Sequence, residues 1–234
     1  MVTAQERIIL RELASRVAEI AALPVQQETI ARWKALNGLK PVRPRVALAQ
    51  VAWHEMNVDD ELTLRTESRF CRDLETGLRR TLYAWKHMRA DMVVEPIIDV
   101  GKVIRGTGLG IETVERTAVL DPENDVVGHA YVDQLKTEED LQRIHAPELA
   151  LDEQATAEVE EVAHGIFDGI LQVRMQGMLP GFAPWDLITC WHSPENVLFD
   201  LGARPEFMHQ VMSRLTDAYL SMLDQAEAKG LLGY

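Results

Sequence analysis

Two cysteines in 234 residues, Cys71 and Cys190, are too few and too far apart for a disulfide framework. Neither belongs to a Cys-x-x-Cys pair, so no structural zinc site is encoded in that form, and a reducing cytoplasm is the expected setting. Basic charge is scarce as well. With 24 Lys and Arg against 37 Asp and Glu, the formal net charge is −13, and the resulting field repels polyanions. No Lys/Arg cluster interleaved with aromatics interrupts it, which argues against nucleic acid and anionic membrane surfaces as partners. Long apolar runs are missing too: no segment suffices to span a bilayer. The N-terminus, MVTAQERIILRELASRV, mixes charges into its apolar residues and does not read as a signal peptide.

What remains is ordinary globular composition, 47% hydrophobic and 26% charged, with material for one core. Thr3 to Glu6 has capping-box spacing, and Ile9, Leu13, Val17 and Ile20 recur at helical intervals until Pro24. A second helix is predicted over residues 26–37, closed by Gly38. These two helices precede any strand, so residues 1–40 read as a helical extension, either a lid over the bottom of a barrel or a contact for a second copy of the chain. After the stiff Pro41–Pro44 linker, residues 45–52 form an apolar run suited to a first buried parallel strand. A long helix carrying Phe70, Leu74, Leu78 and Leu82 follows, then a second strand over 92–99.

The Gly-rich stretch from Gly101 to Gly110 invites a nucleotide reading. It lacks a Gly-Lys-Ser/Thr ending and leads into a β-like segment rather than a helix, which excludes that reading. Residues 111–119 and 126–132, joined by a turn over Asp121–Asp125, read as an excursion hairpin. Residues 137–143 form a short capped helix and 152–173 a long one. The stretch after Gly177 supplies a third strand and then a Gly/Pro-punctuated turn into a helix. Pro205 and Gly230 bracket the last helix.

The run Gly181-Phe182-Ala183-Pro184-Trp185, the segment Leu198-Phe199-Asp200-Leu201 and the run from Arg204 through Pro205 and Glu206 to His209 together resemble the uroporphyrinogen decarboxylase superfamily. The middle segment is more similar to its corrinoid-linked methyltransferase and O-demethylase branch. Leu109-Gly110-Ile111-Glu112 also resembles the segment ahead of that family's hairpin. The resemblance implies a (β/α)8 barrel with its site at the C-terminal strand ends, and residues 41–234 would cover its N-terminal half. The expected fold is therefore α/β, a partial TIM barrel of about three parallel strands with an N-terminal helical extension and an excursion hairpin. Three strands cannot close a barrel, so the expectation is a truncated product, a partial gene or a split subunit, inactive by itself.

Candidate site residues follow from both lines. His54 would lie at the end of the first strand beside Trp53 and Glu55, where an imidazole next to a carboxylate can move a proton. The resemblance aligns Asp99 with an acidic residue of the family that follows the second strand. Trp185, Asp186, Cys190 and Trp191 would line the mouth for a small, apolar substrate. The arginines that decarboxylases place after their first strand are replaced here by Ala49-Gln50-Val51-Ala52-Trp53, and a decarboxylase tyrosine falls on Cys190. Methyl transfer is thus the first reading, with a corrinoid on a partner protein. The resemblance implies zinc for the parent protein, on a His-x-Cys pair and a later Cys beyond Tyr234, and no metal on this chain. Porphyrinogen decarboxylation and a non-catalytic subunit are the alternatives.

Overall fold

The computed structural model describes residues 2–119 and 127–233. Its helices and strands are, in order, α1 (Ala4–Ala21), α2 (Pro24–Asn37), α3 (Arg69–His87), β1 (Ile97–Gly101), β2 (Ile104–Gly106), β3 (Glu115–Val119), β4 (Val127–Tyr131), β5 (Leu149–Leu151), α4 (Glu153–Phe167), β6 (Gln172–Gln176), α5 (Pro184–His192), α6 (Pro194–Ala203) and α7 (Pro205–Ala228). The chain is an α/β protein divided into two compact units, Met1–Val100 with Ala157–Met175, and Gly101–Thr156 with Gln176–Tyr234.

In the first unit the capping box forms as read: the Thr3 hydroxyl accepts from the Glu6 amide at 3.1 Å and the Glu6 carboxylate accepts from the Thr3 amide at 2.9 Å. Leu10, Leu13, Ala14 and Val17 of α1 are buried in one cluster with Cys71, Leu74, Leu78 and Leu82 of α3 and Ala163, Ile166 and Phe167 of α4. The second oxygen of Glu6 accepts from the amides of Glu67 and Ser68 at the start of α3. The Thr3 and Ser68 amides hold the Glu6 carboxyl down at about 2. Pro24 opens α2 rather than merely ending α1, and the left-handed residue after α2 is Leu39 (φ 56°), not Gly38.

The first expected strand does not form. Residues 40–52 carry no helix or strand, and Val46 and Leu48 are more than half exposed at 52% and 54%. An apolar run becomes a strand only where a neighbour accepts its ladder. Here Asp91 takes the chain instead: its carboxylate accepts from the Val46 amide and from Arg43 and Arg45, and its own amide donates to the Val46 carbonyl. The second expected strand is displaced toward the C-terminus, to β1. The expected helix over 152–173 stops at Phe167. Gly169 at φ +80° turns the chain and the alternating Gln-Val-Arg-Met-Gln becomes β6.

The third parallel strand therefore lies earlier than read. Gln172 N–H donates to Pro96 C=O and Lys102 N–H to Gln176 C=O, so β1 and β6 pair in the same direction. Val100 and its half-buried neighbours Ile98, Val173 and Met175 pack into the helical cluster of the first unit.

The second unit holds two antiparallel pairs. β3 and β4 form the expected hairpin, with Glu115 opposite Tyr131 and Val119 opposite Val127; its predicted turn falls outside the described residues. β2 and β5 pair across the Gly-rich stretch, an arm the sequence reading did not contain. Ile188 and Trp191 of α5, Val197 of α6, and Phe207, Val211 and Leu215 of α7 form its main core with Leu135, Leu141 and Ile144. Met178 makes a parallel bridge to Leu232 just beyond α7.

Candidate functional site

Strand periodicity decides what the two parallel strands present. Ile98, Val100, Val173 and Met175 point into the helix-covered core, so Asp99 and Arg174, one residue out of step, project from the opposite face. There the Arg174 fork closes on the Asp99 carboxylate, Nε to Oδ1 at 2.6 Å and Nη2 to Oδ2 at 2.9 Å. Asp99 holds the Arg174 guanidinium above its ordinary value. Both side chains remain 41–49% exposed, so this face is polar and open. Arg174 lies just past the helix expected over 152–173, where the sequence assigns no strand; the two-residue alternation of Gln172, Arg174 and Gln176 is the signal for one.

Trp53, His54 and Glu55 form a single 3-10 turn rather than a strand end. His54 Nε2 lies 3.5 Å from Glu55 Oε1, both on the surface. The Trp53 ring meets Tyr83 edge-on at 6.1 Å and carries the Arg80 guanidinium 5.1 Å from its centroid. With Asn57, Leu64 and Arg79, these residues wall a cavity of about 340 Å³ in the first unit. Arg79 of this wall is held by Glu75, fully buried on α3, which accepts from the Arg65 and Thr66 amides, the Thr66 hydroxyl and Arg79 Nε. Burial works to raise the Glu75 carboxyl, yet the Arg79 and Thr66 bonds outweigh it and the net shift is downward.

The other predicted residues belong to the second unit. Trp185 and Asp186 open α5 and are exposed, whereas Trp191 is buried, its Nε1 without a hydrogen-bond partner. Cys190 lies beside Tyr131, and its thiol pushes the Tyr131 hydroxyl up. His192, two residues on, turns the other way and is 99% buried between two carboxylates: Nδ1 is 2.9 Å from Asp133 and Nε2 is 2.7 Å from Asp200. Arg204 closes on the far side of Asp200, whose carboxyl it holds below the usual range with help from His192. The ring thus bridges the two carboxylates, one on each nitrogen. Asp200 is therefore a buried ion-network member and not merely a cap before Gly202. His87, His129 and His164 pair with Glu61, Glu115 and Asp168.

Among the described residues no group of three or more His, Cys, Asp or Glu side chains is placed to hold a metal ion, and the divergence of Cys190 from His192 shows why that pair does not start one. No helix among them is long and apolar enough to cross a membrane. No family model, curated protein or solved structure matches this chain.

Proposed function

We propose that the chain supplies the parallel-strand portion of a (β/α)8-type barrel of the uroporphyrinogen decarboxylase superfamily, in its methyltransferase and demethylase branch. The polar face of β1 and β6 would be the barrel interior. The observation that carries this is the Asp99–Arg174 pair, which stands on the face away from the helices of its unit. Parallel sheets are almost always covered on both faces or closed on themselves, and a charged pair lining a lumen is compatible with closure where an apolar stripe would call for a second helix layer.

Chemically, a guanidinium already neutralised by a carboxylate offers a fixed dipole rather than net positive charge. It suits a small neutral substrate better than a polycarboxylate, and so favours methyl transfer over porphyrinogen decarboxylation. Asp99 would orient the substrate, and His54 beside Glu55 would move a proton. A methyl acceptor on a corrinoid partner would approach the same mouth, with Trp53 lining it. The described residues do not fit a zinc site.

The test is binding followed by tryptophan fluorescence. Methoxybenzene should bind saturably and lose affinity in the Asp99→Ala/Arg174→Ala double variant. Tight binding of uroporphyrin instead, or a double variant that binds methoxybenzene as well as the parent, would overturn the proposal.

A further inference from the structure

A second cavity of the first unit, about 420 Å³, lies between α1, the loop over residues 59–65 and α3, and shares Arg79 with the cavity beside Trp53. Its charges are unusual for this protein. Arg16, Arg65, Arg79 and Lys86 face Asp59, Asp60 and Glu61, one positive charge in excess within a chain whose net charge is −13. Most of these groups are already satisfied. Arg79 is bound to Glu75, Lys86 to Glu61 at 2.9 Å, and Asp60 accepts from Thr63 at 3.1 Å. Arg16 and Arg65 have no hydrogen-bond or ion-pair partner for their guanidinium groups among the described residues.

The two unpaired guanidiniums stand on a fixed frame. The Arg65 amide donates to both Glu75 oxygens at 3.0 and 2.9 Å, which anchors the root of its side chain, and Arg16 stands on α1 beside the buried Val17. Between them the cavity has a small apolar patch, the half-buried ring of Tyr83 with the edges of the buried Leu13 and Leu82. Asp59, Asp60 and Glu61 at the rim disfavour a multiply charged anion.

We infer that this cavity binds an organic monocarboxylate, its carboxylate held by Arg16 and Arg65 and its apolar body laid on Leu13, Leu82 and Tyr83. Planar guanidiniums match carboxylate geometry two bonds at a time, and a second arginine from another element fixes orientation. The apolar patch supplies the part of the affinity that an inorganic anion cannot use.

Benzoate is the probe, titrated calorimetrically into the full chain. One site per chain is expected, with affinity falling about tenfold or more in Arg16→Ala and in Arg65→Ala, and by less in Arg65→Lys, which keeps the charge and loses the fork. Both arginines are exposed, so the variants should melt like the parent. Benzyl alcohol, with the ring and no charge, and inorganic phosphate, with charge and no apolar body, should each bind at least about tenfold more weakly. Benzoate affinity unchanged in the Arg16→Ala/Arg65→Ala variant overturns the inference. So does phosphate binding as tightly as benzoate, or no saturable benzoate binding in the millimolar range. The Asp99→Ala/Arg174→Ala variant should bind benzoate normally, so this site stands or falls apart from the methyl-transfer proposal.

Discussion

Arg174 meets Asp99 through two parallel hydrogen bonds, 2.6 and 2.9 Å, from the centre of one parallel strand to the centre of its neighbour. Exposed pairs of this kind contribute little to stability even when the geometry is good. Asp99→Asn should therefore leave the urea midpoint unchanged while altering ligand affinity. A clear loss of stability would mean that the pair is a structural strut.

Polycarboxylates are a separate matter. With Ala49 to Trp53 in place of a segment containing two arginines, and Arg174 already neutralised, uroporphyrin should show no saturable binding, even with the rest of a barrel added. Micromolar binding in a fluorescence titration would restore the decarboxylase reading.

Acid should unfold the first unit early. Glu6, Glu75 and Asp91 all have folded-state values below their ordinary 4.5 or 3.8, Glu6 at about 2 and Asp91 because the Val46 amide and the Arg43 guanidinium hold its charge. Between the unfolded and folded values the unfolded chain binds more protons. The stabilisation is thus complete above about pH 5 and drains as pH falls toward 2. Urea midpoints taken from pH 7 to pH 3 should decline through that window, and Glu6→Gln should flatten the decline. A midpoint that is constant down to pH 3 would contradict it.

Glu75→Gln should cost about 3 kcal/mol, since it leaves the Arg79 guanidinium, itself buried, without its charge partner. In the second unit His192→Gln should cost a similar amount, about 3 kcal/mol, by removing the buried ring that bridges Asp133 and Asp200. Denaturant melts of each variant against the parent measure both.

Gly177→Ala probes the bridge of Met178 with Leu232 in the second unit. A Cβ there would overlap the Leu231 carbonyl oxygen and the Leu232 backbone, which cannot yield as a flexible side chain would. A loss of about 2 kcal/mol is expected, with faster amide exchange at Met178 and Gly233, whose N–H groups make the bridge. Unchanged exchange at those amides would show that the bridge does not hold the segment.

The sequence by itself determined the elements whose signals are local. The capping box at Thr3, the four-residue step of Leu74, Leu78 and Leu82, and the Pro205 start of the last helix need only neighbours within a turn, and each stands where it was read. The alternation either side of the predicted turn likewise located the β3–β4 hairpin. Strands were less legible, because a strand exists only if another segment pairs with it. Residues 45–52 have the composition of a buried strand, but Asp91 claims their backbone, while Gln172 to Gln176 lies at and just past the end of an expected helix and pairs with β1. The same holds for the sites. His54 and Asp99 could be named from type and position, but Arg174 beside Asp99 and Arg16 beside Arg65 are brought together over 75 and 49 residues of chain, and Asp133 reaches His192 over 59. Partnerships at that range depend on which surfaces pack, and only the tertiary structure settles that.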